Sequence, residues 1–155
     1  MTTATAQTYH FRPSVEADYD AIAAVWHSSA SLDGVGPLVM PTRNELRERV
    51  DRAFAAGWAV TVAVRENDVI GFVAIRPREA ILDELFVRPS FIGSGVGRAL
   101  LAQAMTAMPQ GFTLYTRSSN ARARRFYEKA GLVYLRDDVH RRTGGPVTYY
   151  GWNMR

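Results

Sequence analysis

The sequence of 155 residues contains no cysteine, which excludes disulfides, thiolate metal sites and a cysteine acyl intermediate. No apolar run approaches the length of about 18 residues that a membrane span needs. The first eight residues, 1–8, are rich in Thr and Ala and have neither the basic start nor the apolar centre of a signal peptide. We therefore expect a flexible N-terminal tail at 1–8 and a cytoplasmic protein that does not bind a membrane.

The three histidines, at positions 10, 27 and 140, do not show the spacing of metal ligands, so no metal is expected. Hydrophobic residues make up 47% of the chain and charged residues 22%, which is typical of a soluble globular domain. Residues 9–155 are long enough to form one such domain. The net charge of +4 suits an anionic ligand but is too small to indicate nucleic-acid binding.

Residues 82–101 combine a strand, a glycine-rich turn and a helix. The strand stops at Pro89, which cannot donate to a sheet ladder, and glycine follows at every second position, Gly93, Gly95 and Gly97. Glycine lets the backbone turn sharply and approach a ligand closely. The first amides of a helix have no internal partner and lie where the helix dipole favours negative charge. The stretch therefore predicts an anion-binding site suited to a phosphate.

The glycine spacing differs from two other phosphate-binding motifs. The later glycine of the dinucleotide fingerprint is missing, and Arg-Ala follows Gly97 where a P-loop has Lys and then Ser or Thr. An ordinary glycine-rich loop remains the alternative. With Val-Arg-Pro at 87–89 and Ile-Gly-Ser-Gly-Val-Gly at 92–97, the stretch resembles the cofactor signature of the GCN5-related N-acetyltransferase (GNAT) family, Gln/Arg-x-x-Gly-x-Gly/Ala. Ile92 departs from its first position, which costs little if backbone amides hold the phosphates.

A second stretch, residues 120–132, resembles the family's other signature, Asn-x-x-Ala-x-x-Phe/Leu-Tyr-x-x-x-Gly-Phe. Asn120 is a good N-cap residue, and Gly131 lies where a left-handed C-cap belongs. Asn120 and Tyr127 are seven residues apart, so they project from nearly the same helix face. Because both signatures occur in the family's order, the chain as a whole resembles a GNAT domain.

The apolar periodicity and the turn residues give the element order β-α-α-β-β-β-α-β-α-β-β. This order predicts a mixed α/β fold with a mostly antiparallel central sheet and helices on both faces. The resemblance implies that the strands bearing the two signatures run parallel and splay apart. It also implies that the acyl-carrying arm of acetyl-CoA enters this split, and that the activity is N-acetyl transfer.

The resemblance also assigns binding residues. The positions expected to contact acetyl-CoA are Phe86, Val87, Ile92, Gly93, Ser94, Gly95, Val96, Gly97, Arg98, Asn120 and Tyr127. Strand amides around Phe86 and Val87 are candidates to stabilise negative charge on the acyl oxygen. In related proteins, the loop after the first helix and the last strand line the acceptor site. The residues expected to bind the acceptor are therefore Trp26, His27 and Tyr149.

Acetyl transfer to an amine requires loss of the amine's proton and a hydrogen-bond donor for the departing thiolate. Tyr127 matches the family's acid position; a core tyrosine is the alternative. Asp83 and Glu84 are the candidate bases. Adjacent strand residues face opposite sides, so at most one should face the acceptor cleft, and Asp83 is favoured unless a bulge reverses the assignment. Pairing of both with arginine, or proton relay through water, remains open.

The sequence does not identify the acceptor, which can be a small-molecule or a peptide amine. The alternative function is a GNAT-fold module that holds acyl-CoA as a sensor without turnover, which the intact Tyr127 disfavours. The expected partners are the amine and, as one possibility, a second copy of the chain in a homodimer.

Overall fold

One seven-stranded sheet runs through residues 8–154, the part of the chain that the computed structural model describes. The tail predicted at 1–8 lies outside this range except for its last residue. In chain order the strands and α-helices are β1 His10–Pro13, α1 Tyr19–Ala30, α2 Arg43–Ala55, β2 Ala59–Arg65, β3 Asp68–Arg76, β4 Ile81–Val87, α3 Val96–Ala107, β5 Phe112–Arg117, α4 Ala121–Lys129, β6 Val133–Val139 and β7 Pro146–Trp152. Short 3₁₀ turns cover Glu16–Asp18 and Pro89–Phe91.

The strands lie in the order β1-β2-β3-β4-β5-β7-β6, and every neighbouring pair is antiparallel except β4 and β5. Helices α1 and α2 pack on one face of the sheet, where Ile22 and Leu46 share a core with Phe72. Helices α3 and α4 cover the other face, where Leu100 and Tyr127 belong to a second core. The predicted mixed α/β fold, with a mostly antiparallel sheet, is confirmed.

Two local features show how neighbouring residues set the bounds of elements. Thr42 begins α2 with a capping box: its Oγ1 accepts from the Glu45 amide at 3.1 Å, and the Glu45 carboxylate accepts from the Thr42 amide at 3.0 Å. Between β2 and β3, Glu66 and Asn67 have positive φ values of 54° and 79°, which a tight hairpin turn requires. Both signals depend only on neighbouring residues.

The two parallel strands β4 and β5 separate soon after they meet. Their only paired position is Ile81 with Thr113. Strand β5 instead pairs along its whole length with β7. Within the described residues, the rest of β4 therefore has β3 on one side and no strand on the other. This is the split that the family resemblance implied.

Candidate active site

A β-bulge in β4 decides where the two candidate bases lie. Ala74 of β3 pairs with Glu84, but the next residue, Ile75, pairs with Leu82, so Asp83 has no partner in β3. An extra residue of this kind interrupts the alternation of side chains along a strand. Asp83 and Glu84 consequently line the same cavity. The prediction that at most one of them faces the cleft is wrong, because the strand does not alternate there.

Asp83 is held by two donors. Trp58 donates its indole N–H to Asp83 Oδ2 at 2.6 Å, and Arg76 donates through Nε to the same oxygen at 3.1 Å. The side chains of Arg76 and Asp83 are 28% and 27% exposed, so this ion pair is partly shielded from solvent. Both of these donors therefore occupy the same carboxylate oxygen of Asp83, Oδ2, and tie it to β3 and to the residue that precedes β2.

Glu84 lies in a different environment. Within residues 8–154 its carboxylate makes no hydrogen bond or ion pair with another side chain. Burial raises the pKa of Glu84 well above its usual range, and the charge of Asp83 raises it further. The charges of Arg49 and Arg117 oppose this rise in pKa. Glu84 is therefore a carboxyl group that releases its proton at a higher pH than an ordinary glutamate does.

Tyr127 and Asn120 project from α4 into the same cavity. Asn120 caps the helix by accepting from the Ala123 amide at 3.1 Å. Tyr127 is only 7% exposed, yet its hydroxyl has no hydrogen-bond partner in the described chain. No fully buried polar side-chain atom of that part of the chain lacks a partner, so the hydroxyl is open to the cavity. Burial raises the pKa of Tyr127, and the charge of Glu84 adds to it, so the phenol stays protonated.

The cavity has a volume of about 660 Å³ and lies beside the β4–β5 split. The predicted acceptor residue Trp26 lines it, with its ring 6.1 Å from that of Phe86, another predicted site residue on the wall. His27 and Tyr149, which are also expected to bind the acceptor, are not among the residues that line this cavity. His27 follows Trp26 on a helix and so points about 100° away. Tyr149 instead packs its ring under the Arg136 guanidinium, 4.0 Å from the ring centre.

Sequence reasoning missed several polar residues of the cavity wall. They are Arg49 and Arg52 of α2, Tyr115 and Arg117 of β5, and His140 and Arg142 of the loop between β6 and β7. They come from three separate parts of the chain and match neither signature. Only the fold brings them together, so no local pattern could have grouped them.

The predicted phosphate cradle, residues 92–98, forms the turn before α3. Gly93 and Gly95 have φ values of 84° and 94°, a region that glycine adopts without strain. No side chain caps α3, so the amides of residues 96–98 have neither a helical nor a side-chain partner in the described chain. These amides suit a phosphate.

The side chains of this turn take little part in the cradle. Ile92 is 40% exposed, whereas Val96 is 1% exposed and packs in the core. The Ser94 hydroxyl donates to the carbonyl of Phe91. Arg98 is exposed in the first turn of α3, where a cation could also face a phosphate. The cradle is therefore built mainly from backbone. This agrees with the presence of Ile92 where the family signature has Gln or Arg, because backbone amides can bind phosphate without that side chain.

The backbone of β4 offers further donors along the split. The Arg88 amide donates to the Ile70 carbonyl of β3 at 2.8 Å. N–H directions alternate along a strand, so the Phe86 amide also faces β3, and the amides of Leu85 and Val87 face the split. The Val87 carbonyl accepts from Ser29 of α1. Cradle and split together fit an elongated cofactor with phosphates at one end and an extended arm, which is the shape of acetyl-CoA.

Comparison with known protein families agrees with a site that fits acetyl-CoA. Residues 25–132 match the family model described as the acetyltransferase (GNAT) family. The chain belongs to this family, and it is an acetyltransferase whose cofactor is acetyl-CoA. The family resemblance noted in the two signatures is thereby confirmed.

Particular relatives can also be named. The chain is 31% identical over 123 residues to peptidyl-lysine N-acetyltransferase YjaB of Escherichia coli, covering 78% of this chain and 80% of YjaB. The solution structure of apo YjaB from Escherichia coli superposes with a TM-score of 0.75 at 26% identity, covering 93% and 97% of the two chains. YncA of Salmonella typhimurium, determined with acetyl-CoA, shares the fold with a TM-score of 0.71 at 16% identity, covering 94% of this chain and 93% of YncA.

No helix of residues 8–154 is long and apolar enough to cross a membrane. In the same residues, no group of three or more His, Asp or Glu side chains could hold a metal ion.

Proposed function

We propose that this protein moves an acetyl group from acetyl-CoA directly to a primary amine, with both substrates bound at once. The observation that carries the proposal is that Glu84 and the hydroxyl of Tyr127 open into one cavity beside the β4–β5 split. A proton acceptor and a proton donor are both needed for this reaction. Direct transfer also needs no nucleophilic side chain, and the chain contains no cysteine to supply one.

Glu84 is the base in this proposal. An alkylamine has a pKa near 10.4 and must lose a proton before it can attack. A base with a higher pKa takes up a proton more readily, and burial raises the pKa of Glu84 above that of an ordinary glutamate. Asp83, which sequence reasoning favoured, is engaged by Trp58 and Arg76 and serves to position the strand and raise the pKa of its neighbour.

Tyr127 is the acid. Its raised pKa keeps it protonated, so it can donate a hydrogen bond where thiolate charge develops. The amides of Leu85 and Val87 face the split and are placed to stabilise negative charge on the acyl oxygen. Acetyl-CoA would supply the activated acetyl group, the cradle at 92–98 would hold its phosphates, and Asn120 and Phe86, which line the cavity, would contact it there.

An amine screen that follows release of free CoA tests the proposal. The panel should contain aminoglycoside-like, polyamine, amino-acid and peptide amines, and it should include a lysine peptide because YjaB is named a peptidyl-lysine N-acetyltransferase. We expect CoA release and a matching acetylated product with at least one class. Acetyl-CoA binding without release across the panel would contradict direct transfer and support the sensor alternative.

A further inference from the structure

Four arginines from separate parts of the chain converge on the cavity that holds Glu84. They form the arginine cluster: Arg49 and Arg52 from α2, Arg117 from the end of β5, and Arg142 from the loop between β6 and β7. Arg49 and Arg117 are half-buried, whereas Arg52 and Arg142 are exposed. The cluster therefore contributes both half-buried and exposed guanidinium groups to the wall of this cavity.

These four arginines form no ion pair in the described part of the chain. Within residues 8–154, none of the four arginines lies within 4.0 Å of a carboxylate, although Arg12, Arg47, Arg76 and Arg136 each form such a pair. The side-chain contact of Arg117 is with the hydroxyl of Thr143 at 3.5 Å.

The cavity wall contains three carboxylates and five arginines. Asp83 pairs with Arg76. Glu45 accepts from the amide of Thr42 in the α2 capping box and keeps its negative charge, because this hydrogen bond and then the charge of Arg49 lower its pKa. Burial raises the pKa of Glu84, which favours its neutral form. The cavity therefore has an excess of positive charge that a ligand can balance.

The arginine cluster and Glu84 line one cavity. The charges of Arg49 and Arg117 act on Glu84, opposing the effect of burial on its pKa. Burial, and then the charges of Arg117 and Arg142, lower the pKa of His140, whose ring lies 5.8 Å from that of Tyr115 on the same wall. A small molecule can thus have one end at Glu84 and the other among the arginines.

We propose that the acceptor is an amine whose own molecule carries a carboxylate, and that the arginine cluster binds this carboxylate while the amine faces Glu84. Guanidinium groups bind carboxylates through two parallel hydrogen bonds, and they repel an acceptor that carries only positive charge. Free amino acids and peptides with an acidic side chain beside the amine both fit this chemistry, whereas polyamines do not. The inference rests on the proposed function, because it concerns the acceptor of that reaction.

Binding of reaction products tests the inference without turnover. N-acetylated ω-amino carboxylates of increasing chain length would be titrated calorimetrically in the presence of CoA, each beside its neutral primary amide. Acetyl-lysine peptides flanked by Glu would be compared with the same peptides flanked by Gln. We expect the carboxylate to bind about tenfold or more tightly than its amide in at least one series, the size of one hydrogen bond to a charged group.

Two variants test whether the arginine cluster causes the preference for the carboxylate over its amide. Arg117→Gln and Arg142→Gln should each lower the carboxylate-to-amide ratio several-fold. Arg141→Gln, at the exposed neighbouring residue outside the cavity wall, should leave the ratio unchanged. Because Arg142 is exposed in a loop, its substitution should not affect folding, and thermal unfolding of each variant checks this.

The outcomes separate the two proposals. Equal binding of carboxylates and amides in every series, or a ratio that neither variant alters, would overturn the inference. A preference found only in the peptide series would support it and assign the carboxylate to a neighbouring acidic side chain. Preferential binding of carboxylates with no acetylation of the corresponding amines would overturn the proposed transfer reaction but not the charge preference of the site.

Discussion

The substitution Glu84→Gln tests the proposed base most directly. Glutamine keeps the size of glutamate but cannot accept the proton of the amine. Glu84 makes no hydrogen bond or ion pair with another side chain of the described chain, so the change breaks no contact of that kind in the fold. Loss of a general base costs about 10²- to 10⁴-fold. We expect kcat to fall about 10²-fold or more, which corresponds to about 2.7 kcal/mol or more of activation free energy.

The pH dependence gives an independent readout. In the parent protein, kcat/KM should rise with pH as Glu84 loses its proton, and this limb should lie above the ordinary glutamate pKa of about 4.3 because the pKa is raised. In Glu84→Gln the limb should disappear.

The stability of the parent protein should fall with rising pH, whereas kcat/KM rises. Between the ordinary glutamate pKa and the raised native pKa, Glu84 holds a proton in the native state that the unfolded chain has already lost. The stability it contributes is full below the ordinary glutamate pKa and is lost as pH rises through the native pKa. The melting temperature of Glu84→Gln, relative to the parent, should therefore rise with pH across this window.

Asp83→Asn is the matched control, since it removes the same charge one residue away. It weakens the contact with Arg76, so the melting temperature should fall, while kcat should stay within about tenfold of the parent. Loss of the Asp83 charge should also lower the pKa of Glu84 and move the rising limb to lower pH. A parent-like kcat in Glu84→Gln with chemistry shown to be rate-limiting, or a larger loss in Asp83→Asn, would refute the reasoning and favour a water relay.

Three further predictions concern the acid and the cofactor. Tyr127→Phe should lower kcat roughly 10²-fold with little change in KM for acetyl-CoA. An unchanged kcat, with the chemical step shown to limit the rate, would mean that Tyr127 only packs in the core. Acetyl-CoA at about 100 times its dissociation constant should stabilise the fold by about 2.7 kcal/mol and raise the melting temperature by about 5–10 °C; equal shifts with ATP and NAD would contradict the cradle. Gly95→Val, which must adopt a φ of 94°, should remove this shift, whereas Ile92→Ala should keep most of it; loss in Ile92→Ala would contradict the backbone cradle.

Much of the fold could be predicted because its signals are local. The order of strands and helices is the one that the sequence predicts, since turn residues and changes of side-chain periodicity mark where one element ends and the next begins. The Thr42 capping box, the Asn120 cap and the positive φ of Gly95 likewise follow from residue types within a few positions. The family could be recognised for the same reason, because each of its two signatures is one continuous stretch.

The sequence by itself therefore determined the elements, the family and the residues on which the cofactor is expected to lie. Only the tertiary structure decided which side chains share the cavity. The bulge at Asp83 depends on how β4 pairs with β3, and it places both carboxylates in one site. The arginine cluster depends on the packing of α2, β5 and the β6–β7 loop. A site assembled from distant segments leaves no local pattern, because its members are neighbours only after the chain has folded.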